Sequence, residues 1–304
     1  MLLIIEQVLN GLQLGITLFL MSAGLTLVFG IMQVINLAHG SFYMIGAYVG
    51  ATVAAETGSF LLAIPAALGA AALVGAIVEI VILRHLYKRE HLDQVLATFG
   101  LIMFFNELTR MIWGRQPLFM DVPASLARSV EILPGLPYPT YRLAVIGVGL
   151  FVAASLWLLF AKTRTGMKIR AGASNRDMVG ALGVNINLLY TLVFSLGALL
   201  AGLAGVMAGP ILAVESGMGE GILILTFVVI VIGGIGSIRG AVAGALLVGM
   251  VDTLGRAFLP SILKMVLESS IADSIAASLS SMAIYILMAA VLIWKPRGLF
   301  PAHA

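Results

Sequence analysis

The sequence predicts an all-α, polytopic transmembrane helical bundle, and three observations predict it. Hydrophobic residues make up 61% of the 304 positions and charged residues only 10%, whereas a soluble domain carries about 25% charge. No lysine or arginine precedes Arg84. The charge that exists is confined to short islands between long apolar stretches rich in glycine and alanine. A water-soluble core of this length could not hide so much apolar surface, so the excess faces lipid or other membrane helices.

At about 20 residues per crossing plus loops, about 8–9 spans are expected. The apolar runs place them near 4–30, 41–56, 60–83, 94–113, 142–161, 188–212, 222–236, 240–258 and 279–295. The second, seventh and eighth are short, which makes them candidates for half-helices or re-entrant segments, tolerated where irregular backbone is buried in protein. MLLIIEQVLNG has neither a basic n-region nor a small-residue cleavage site and is expected to open a retained first span. The whole chain, 1–304, is expected to form a single transmembrane domain.

Orientation follows from the positive-inside rule. The islands RHLYKREHLD (84–93) and KTRTGMKIRAGASNRD (162–177) are expected on the cytoplasmic side, as is the basic tail WKPRGLFPAHA. The stretch 114–141 is charge-balanced and holds Pro117, Pro123, Pro134, Pro137 and Pro139, which makes it an external loop. Parity puts the N-terminus outside when every candidate spans, and one re-entrant segment reverses this. The net charge of +3 and pI near 9.3 do not point to nucleic acid, because the basic residues sit at span ends.

Small residues recur every fourth position: Gly197, Ala201, Gly205 and Gly209; Ala67, Ala71 and Gly75; and the pairs Gly11/Gly15, Gly46/Gly50 and Gly240/Gly244. Such faces let membrane helices approach closely, in place of the hydrophobic drive that lipid removes. Pro210 should end or kink the helix before it.

Polar residues inside apolar runs are costly and need partners or a wet cavity. Asn10, Gln13 and Thr17 share one face of the first span, which either lines a translocation path or makes interhelical hydrogen bonds. The run Gln33 to Ser41 favours a turn and a new helix start, and it brings Asn36 and His39 into consideration as path residues. Glu79 is expected as a snorkelling carboxylate near Arg84, and Glu107 and Arg110 as a local i, i+3 ion pair.

No Walker A loop, H-E-x-x-H or G-x-S-x-G motif occurs, and no cysteine. No metal ligand set or cofactor is expected, and no covalent chemistry. The glycine-rich GGIGSIRG (233–240) lies between apolar spans, so Gly233, Gly234, Gly236, Ser237 and Gly240 are expected to form a tight turn rather than a phosphate cradle.

The most informative polar segment is 162–187. It has helical composition and ends in a Gly-Val-Asn break at Gly183. A short helix along the membrane face would either present a knob to a cytoplasmic partner or touch anionic headgroups. The spacing from Asp177 to Gly183 is similar to the coupling loop of ABC importer permeases, Glu-Ala-Ala, three residues, then Gly, with Asp177, Met178 and Val179 in place of Glu-Ala-Ala. Three further segments carry a more specific resemblance. Asn36-Leu-Ala-His39-Gly40 resembles the N-[FL]-A-H-G signature of the branched-chain amino-acid ABC transporter permease family. Arg170-Ala … Ala181-Leu-Gly183-Val is similar to that family's cytoplasmic loop, and Gly233-Gly-Ile-Gly236-Ser237-Ile-Arg-Gly240-Ala to its G-G-x-G-S-x-x-G-A turn. With the hydropathy profile the resemblance runs over nearly the whole chain and is nearest to the shorter of that system's two permease subunits.

The resemblance implies an ATP-driven importer in a bacterial inner membrane. A homologous second permease would complete the pathway, a periplasmic solute-binding protein would deliver substrate, and two ATP-binding subunits would push the 170–183 helix through Arg170, Arg176, Asp177, Met178, Val179, Ala181 and Gly183. Branched-chain or related amino acids are the expected cargo, with urea or short-chain amides as alternatives inside the family. An ion-coupled secondary carrier is the alternative of a different class, and the scarcity of carboxylates near mid-membrane weighs against it. An intramembrane enzyme or scaffold would need a polar cluster that the sequence does not display.

Overall fold

The computed structural model describes residues 2–87 and 89–301. Lys88 of the first basic island and Ala302 to Ala304 of the tail lie outside them. In chain order the elements are α1 (Leu2–Met32), α2 (His39–Thr57), α3 (Phe60–Val78), a π-helical turn (Glu79–Leu83), α4 (Arg84–Leu86), α5 (His91–Trp113), β1 (Ser129–Leu133), β2 (Leu136–Pro139), α6 (Thr140–Lys162), α7 (Arg164–Ser174), α8 (Arg176–Ala181), α9 (Ile186–Ala208), α10 (Met218–Gly233), α11 (Ile238–Leu263) and α12 (Ser269–Trp294). Seven helical stretches are long and apolar enough to cross a membrane, with α3 and α4 continuous through the π turn, and α10 is a shorter apolar helix. The chain is a multi-pass membrane protein.

Helix boundaries follow local chemistry. Gly58 adopts a left-handed conformation (φ +67°) that stops α2, and the Ser59 side chain then accepts a hydrogen bond from Leu62 N to start α3. α9 ends at Ala208, two residues ahead of Pro210, which cannot continue the ladder. Three boundaries depart from the sequence expectation. The eighth span is not short: α11 runs the 26 residues Ile238–Leu263, continuing through Pro260 past the expected end at 258, with Asp252 and Arg256 paired at i, i+4 on the helix itself. α12 begins at Ser269 rather than near 279, since the serine- and alanine-rich segment between is polar yet compatible with helix. The external loop also contains regular structure, an antiparallel hairpin of β1 and β2 turning at Gly135 (φ +82°).

The chain divides into two compact units. The first comprises 1–19, 124–149 and 225–304, and the second 20–123 and 150–224. In the first, α1 and α11 close on each other through glycine: a Cβ added at Gly249 would lie 2.5 Å from Gly15 N. In the second, α2, α3 and α9 form a seam of small residues. Ala67 and Ala71 are fully buried, a Cβ at Gly202 would lie 2.5 Å from that of Ala71, and Gly24 and Gly197 meet backbone to backbone. Gly15, Ala67, Ala71 and Gly197 belong to the stripes visible in the sequence, whereas Gly24, Gly202 and Gly249 do not, and all of them sit where helices approach closely.

Candidate functional site

The segment 162–187 folds as two short helices rather than one. Asn175 is extended (φ −154°, ψ +94°) and separates α7 from α8, so the single 170–183 helix expected from sequence is divided there. Three caps build the platform. Thr163 Oγ1 accepts from Gly166 N (3.0 Å), Asn175 Oδ1 from Met178 N (2.9 Å), and Asn185 Oδ1 from Leu188 N (3.0 Å). Asn175 breaks the ladder because its side chain competes for the next helix's free N–H groups. Ile169 and Val179 are buried beneath the platform, whereas Arg170, Arg176, Asp177, Ala181 and Gly183 are exposed. Met178 (59% exposed) and Leu182 (77% exposed) stand out as apolar knobs among basic neighbours.

α8 ends in a Schellman motif. Val184 N donates to Val179 O (3.3 Å) and Gly183 N to Gly180 O (3.0 Å), with Gly183 at φ +86°. The glycine of the coupling-loop spacing is therefore a conformational requirement: nothing lies within 4 Å of where its Cβ would be, so the demand is on φ and not on space. Gly183→Ala is expected to cost about 1–2 kcal/mol through φ alone, and Gly183→Asn less. Asn175→Ala removes the cap of α8 and should cost about 1 kcal/mol. Limited proteolysis of the 175–185 segment checks both, with faster cleavage expected than in the parent protein.

The path candidates fall into different settings. In the first unit Asn10 Oδ1 accepts from the Tyr138 hydroxyl (3.1 Å) and from Arg142, Gln13 Nε2 donates to Thr17 Oγ1 (3.3 Å), and Thr17 donates to Gln13 O (3.2 Å). Asn10 thus holds α1 to the hairpin and to α6. In the second unit Asn36 and His39 are almost wholly buried. Asn36 Oδ1 accepts from Ala38 N (3.1 Å) and His39 Nε2 meets Met21 O (3.2 Å), so the pair shapes the break between α1 and α2. In the glycine-rich turn, Gly233 closes α10, Gly234 (φ +107°) and Gly236 (φ +81°) reverse the chain, and Ser237 caps α11 by accepting from Gly240 N (3.1 Å). The tail contributes as well: Leu299 N and Phe300 N donate to Ile232 O and Gly233 O (2.9 Å each), satisfying carbonyls at the end of α10.

Glu79 is not a snorkelling carboxylate. It is fully buried and accepts from Arg84 Nη2 (2.9 Å), the Tyr87 hydroxyl (2.7 Å) and Thr191 Oγ1 (2.6 Å). Burial and the adjoining carboxylate push the Tyr87 phenol up, which keeps it a donor. Glu107 and Arg110 do pair, at 2.6 Å.

Sequence reasoning passed over one feature of the second unit, a cleft of about 270 Å³ between α5, Leu37 just ahead of α2, and the start of α10. Leu37, Ile102, Met103 and Leu223 give it apolar walls, and Asn106 Nδ2 donates to Glu220 Oε1 at 2.6 Å within it. A signal was present, since Glu220 is the one charged residue between Glu215 and Arg239.

A family model described as the permease component of a branched-chain amino acid transport system matches residues 7–292. The chain belongs to this permease family. Among its relatives, the high-affinity branched-chain amino acid transport system permease protein BraD of Pseudomonas aeruginosa is 32% identical over 263 residues, 83% of this chain and 86% of BraD. LivH of Escherichia coli K12, with the same description, is 30% identical over 276 residues, 84% of this chain and 87% of LivH. The ribose import permease RbsC of the same organism is 25% identical over 263 residues, 82% of this chain and 77% of RbsC. No solved structure matches the permease.

Proposed function

We propose that this permease, acting over its whole length as one domain, is the membrane subunit of an ATP-driven importer for branched-chain or related amino acids in a bacterial inner membrane. A second, homologous permease completes the translocation pathway, a periplasmic solute-binding protein delivers the cargo, and two ATP-binding subunits dock on the α7–α8 platform. Hydrolysis takes place on those subunits, and the permease contributes a two-state pathway biased from a distance.

The observation that carries the reading is the construction of the platform. Apolar anchors Ile169 and Val179 are buried beneath it while Met178 and Leu182 are offered outward beside Arg170 and Arg176. Capped at both helix starts and locked at Gly183, such an element transmits a push instead of absorbing it. The buried carboxylates that an ion-coupled carrier would need are committed elsewhere: among the described residues Glu79 is satisfied by Arg84, Tyr87 and Thr191, and Asp252 by Arg256.

Replacing residues 177–183 with a Gly/Ser linker should abolish co-purification of the ATP-binding subunits and ATP-driven leucine uptake together. The milder Met178→Asp should weaken co-purification about tenfold or more, as loss of a buried interface anchor does. Retained assembly and uptake in the linker variant would overturn the docking assignment.

A further inference from the structure

The cleft of the second unit combines features that a lipid-facing groove does not need. Its walls are apolar, yet Glu220 and Asn106 are placed in it and bonded to each other. Asn106 lies about two turns before the end of α5 and Glu220 in the first turn of the shorter apolar helix α10, and a carboxylate set against apolar walls is costly unless it meets water or a charged ligand. Glu220 Oε1 receives the Asn106 amide, which leaves the second carboxylate oxygen and Asn106 Oδ1 as acceptors. Acceptors of this kind suit a cation with several N–H groups. A metal ion is a poor match, because one carboxylate does not supply the six or more oxygens a hard cation takes, and among the described residues no group of three or more His, Cys, Asp or Glu is poised to hold one. A sugar would require more polar groups than these walls offer.

The opposite pole is set by α2. Its first turn, Gly40 and Ser41, lines a small pocket of about 10 Å³ that shares Leu37, Ile102, Asn106, Glu220 and Leu223 with the cleft. At this end of α2 the N–H groups of Ala38, His39 and Ser41 are taken by Asn36 Oδ1, Asn36 O and Ala38 O, which leaves the Ser41 hydroxyl as the side-chain donor in that pocket, beside Asn106 and Glu220. Gly40 and Gly219 meet backbone to backbone, so the starts of α2 and α10 are locked together, and with them Ser41 on one side and Glu220 on the other.

We infer that this cleft holds the transported amino acid, with Glu220 and Asn106 on its α-ammonium, Ser41 on its α-carboxylate, and Leu37, Ile102 and Leu223 around a branched aliphatic side chain. The inference rests on the import function proposed above and adds to it a site inside the permease itself. The volume agrees: about 270 Å³ is just below the usual range for drug-sized ligands, about 300–1,000 Å³, and suits a single small solute.

The chain contains no cysteine, so one introduced at the cleft is a unique reporter. In permease assembled with its ATP-binding subunits and binding protein in liposomes, Met103→Cys is modified by a small thiol reagent with and without leucine, and Phe99→Cys serves should the first variant not assemble. Leucine at ten times its dissociation constant should slow the reaction about tenfold. Adding Glu220→Gln should weaken that protection about tenfold or more, as loss of one charge-assisted hydrogen bond does. Leu223→Ala should raise phenylalanine uptake relative to leucine about tenfold, a change in preference that a general packing defect would not produce. If leucine is imported under ATP yet protects neither cysteine, the cleft is not the site and the import function stands. If the wild-type assembly hydrolyses ATP but imports no leucine, the import function falls and the inference with it.

Discussion

Arg84→Met is expected to destabilise the permease by about 3–5 kcal/mol, the usual consequence of stranding one member of a buried ion pair. Glu79 is fully buried, while the side chain of Arg84 is 32% exposed. Removing the guanidinium therefore leaves a carboxylate with no counter-charge and no route to water. The π turn Glu79–Leu83 makes the geometry possible. Its hydrogen bonding runs i to i+5, with Arg84 N donating to Glu79 O, so Arg84 stacks over Glu79 where an ordinary helix would have rotated it away. Tyr87 and Thr191 complete the shell, and Arg84 Nη2 also donates to Thr191 Oγ1 at 2.9 Å. The double variant Glu79→Met/Arg84→Met should recover most of the loss, because the charge that needed solvating is gone. Thermal unfolding of the purified permease in detergent checks both. A single variant that melts with the parent protein would mean water reaches Glu79. The cluster also ties the end of α3 to α9, the helix that follows the platform directly, so loosening it should reduce leucine transported per ATP hydrolysed.

That cluster marks where the sequence stopped being informative. The pairing of Glu79 with Arg84 was visible from their spacing, but burial was not, because it depends on Thr191, separated by 112 residues, and on a π turn that no local pattern announces. The helices themselves were legible wherever apolar runs were unbroken. α11 was read to end at 258, ahead of Pro260, yet the helix continues through that proline to Leu263. The divided platform was legible in principle: Asn175 is a strong N-cap residue three positions before Met178, yet continuous helical composition on both sides masked it. In 114–141 five prolines suggested loop, although Val130 and Ile132 alternate with polar neighbours as a strand does. Asn106 lies beside the exposed Glu107 and Arg110 pair, and its bond to Glu220 spans 114 residues, a link sequence order does not carry.

Gly205→Ala is expected to separate α2 from α9 and to cost about 3 kcal/mol, the upper end of the usual overpacking range. The added methyl would enter the van der Waals shell of Tyr43 O and reach 3.0 Å from Ala47 N. Both are backbone atoms that cannot swing aside as a side chain end would. Gly46→Ala should behave alike, since its Cβ would fall on the backbone of Gly202. Gly69→Ala and Gly100→Ala are the matched controls. Each lies in a helix with nothing within 4 Å of the new Cβ, and each should be neutral or more stable by up to about 1 kcal/mol through helix propensity. Melting midpoints of the four variants in one detergent separate close helix contact from a general intolerance of substitution, and a Gly205→Ala protein that melts with Gly69→Ala would show that α2 and α9 stand farther apart. The seam matters to function because α2 carries Gly40 and Ser41 at its start. A displaced α2 also moves Ser41 and the small pocket it shares with Asn106 and Glu220, so Gly205→Ala should lower leucine uptake more than the ATP hydrolysis of the assembled transporter.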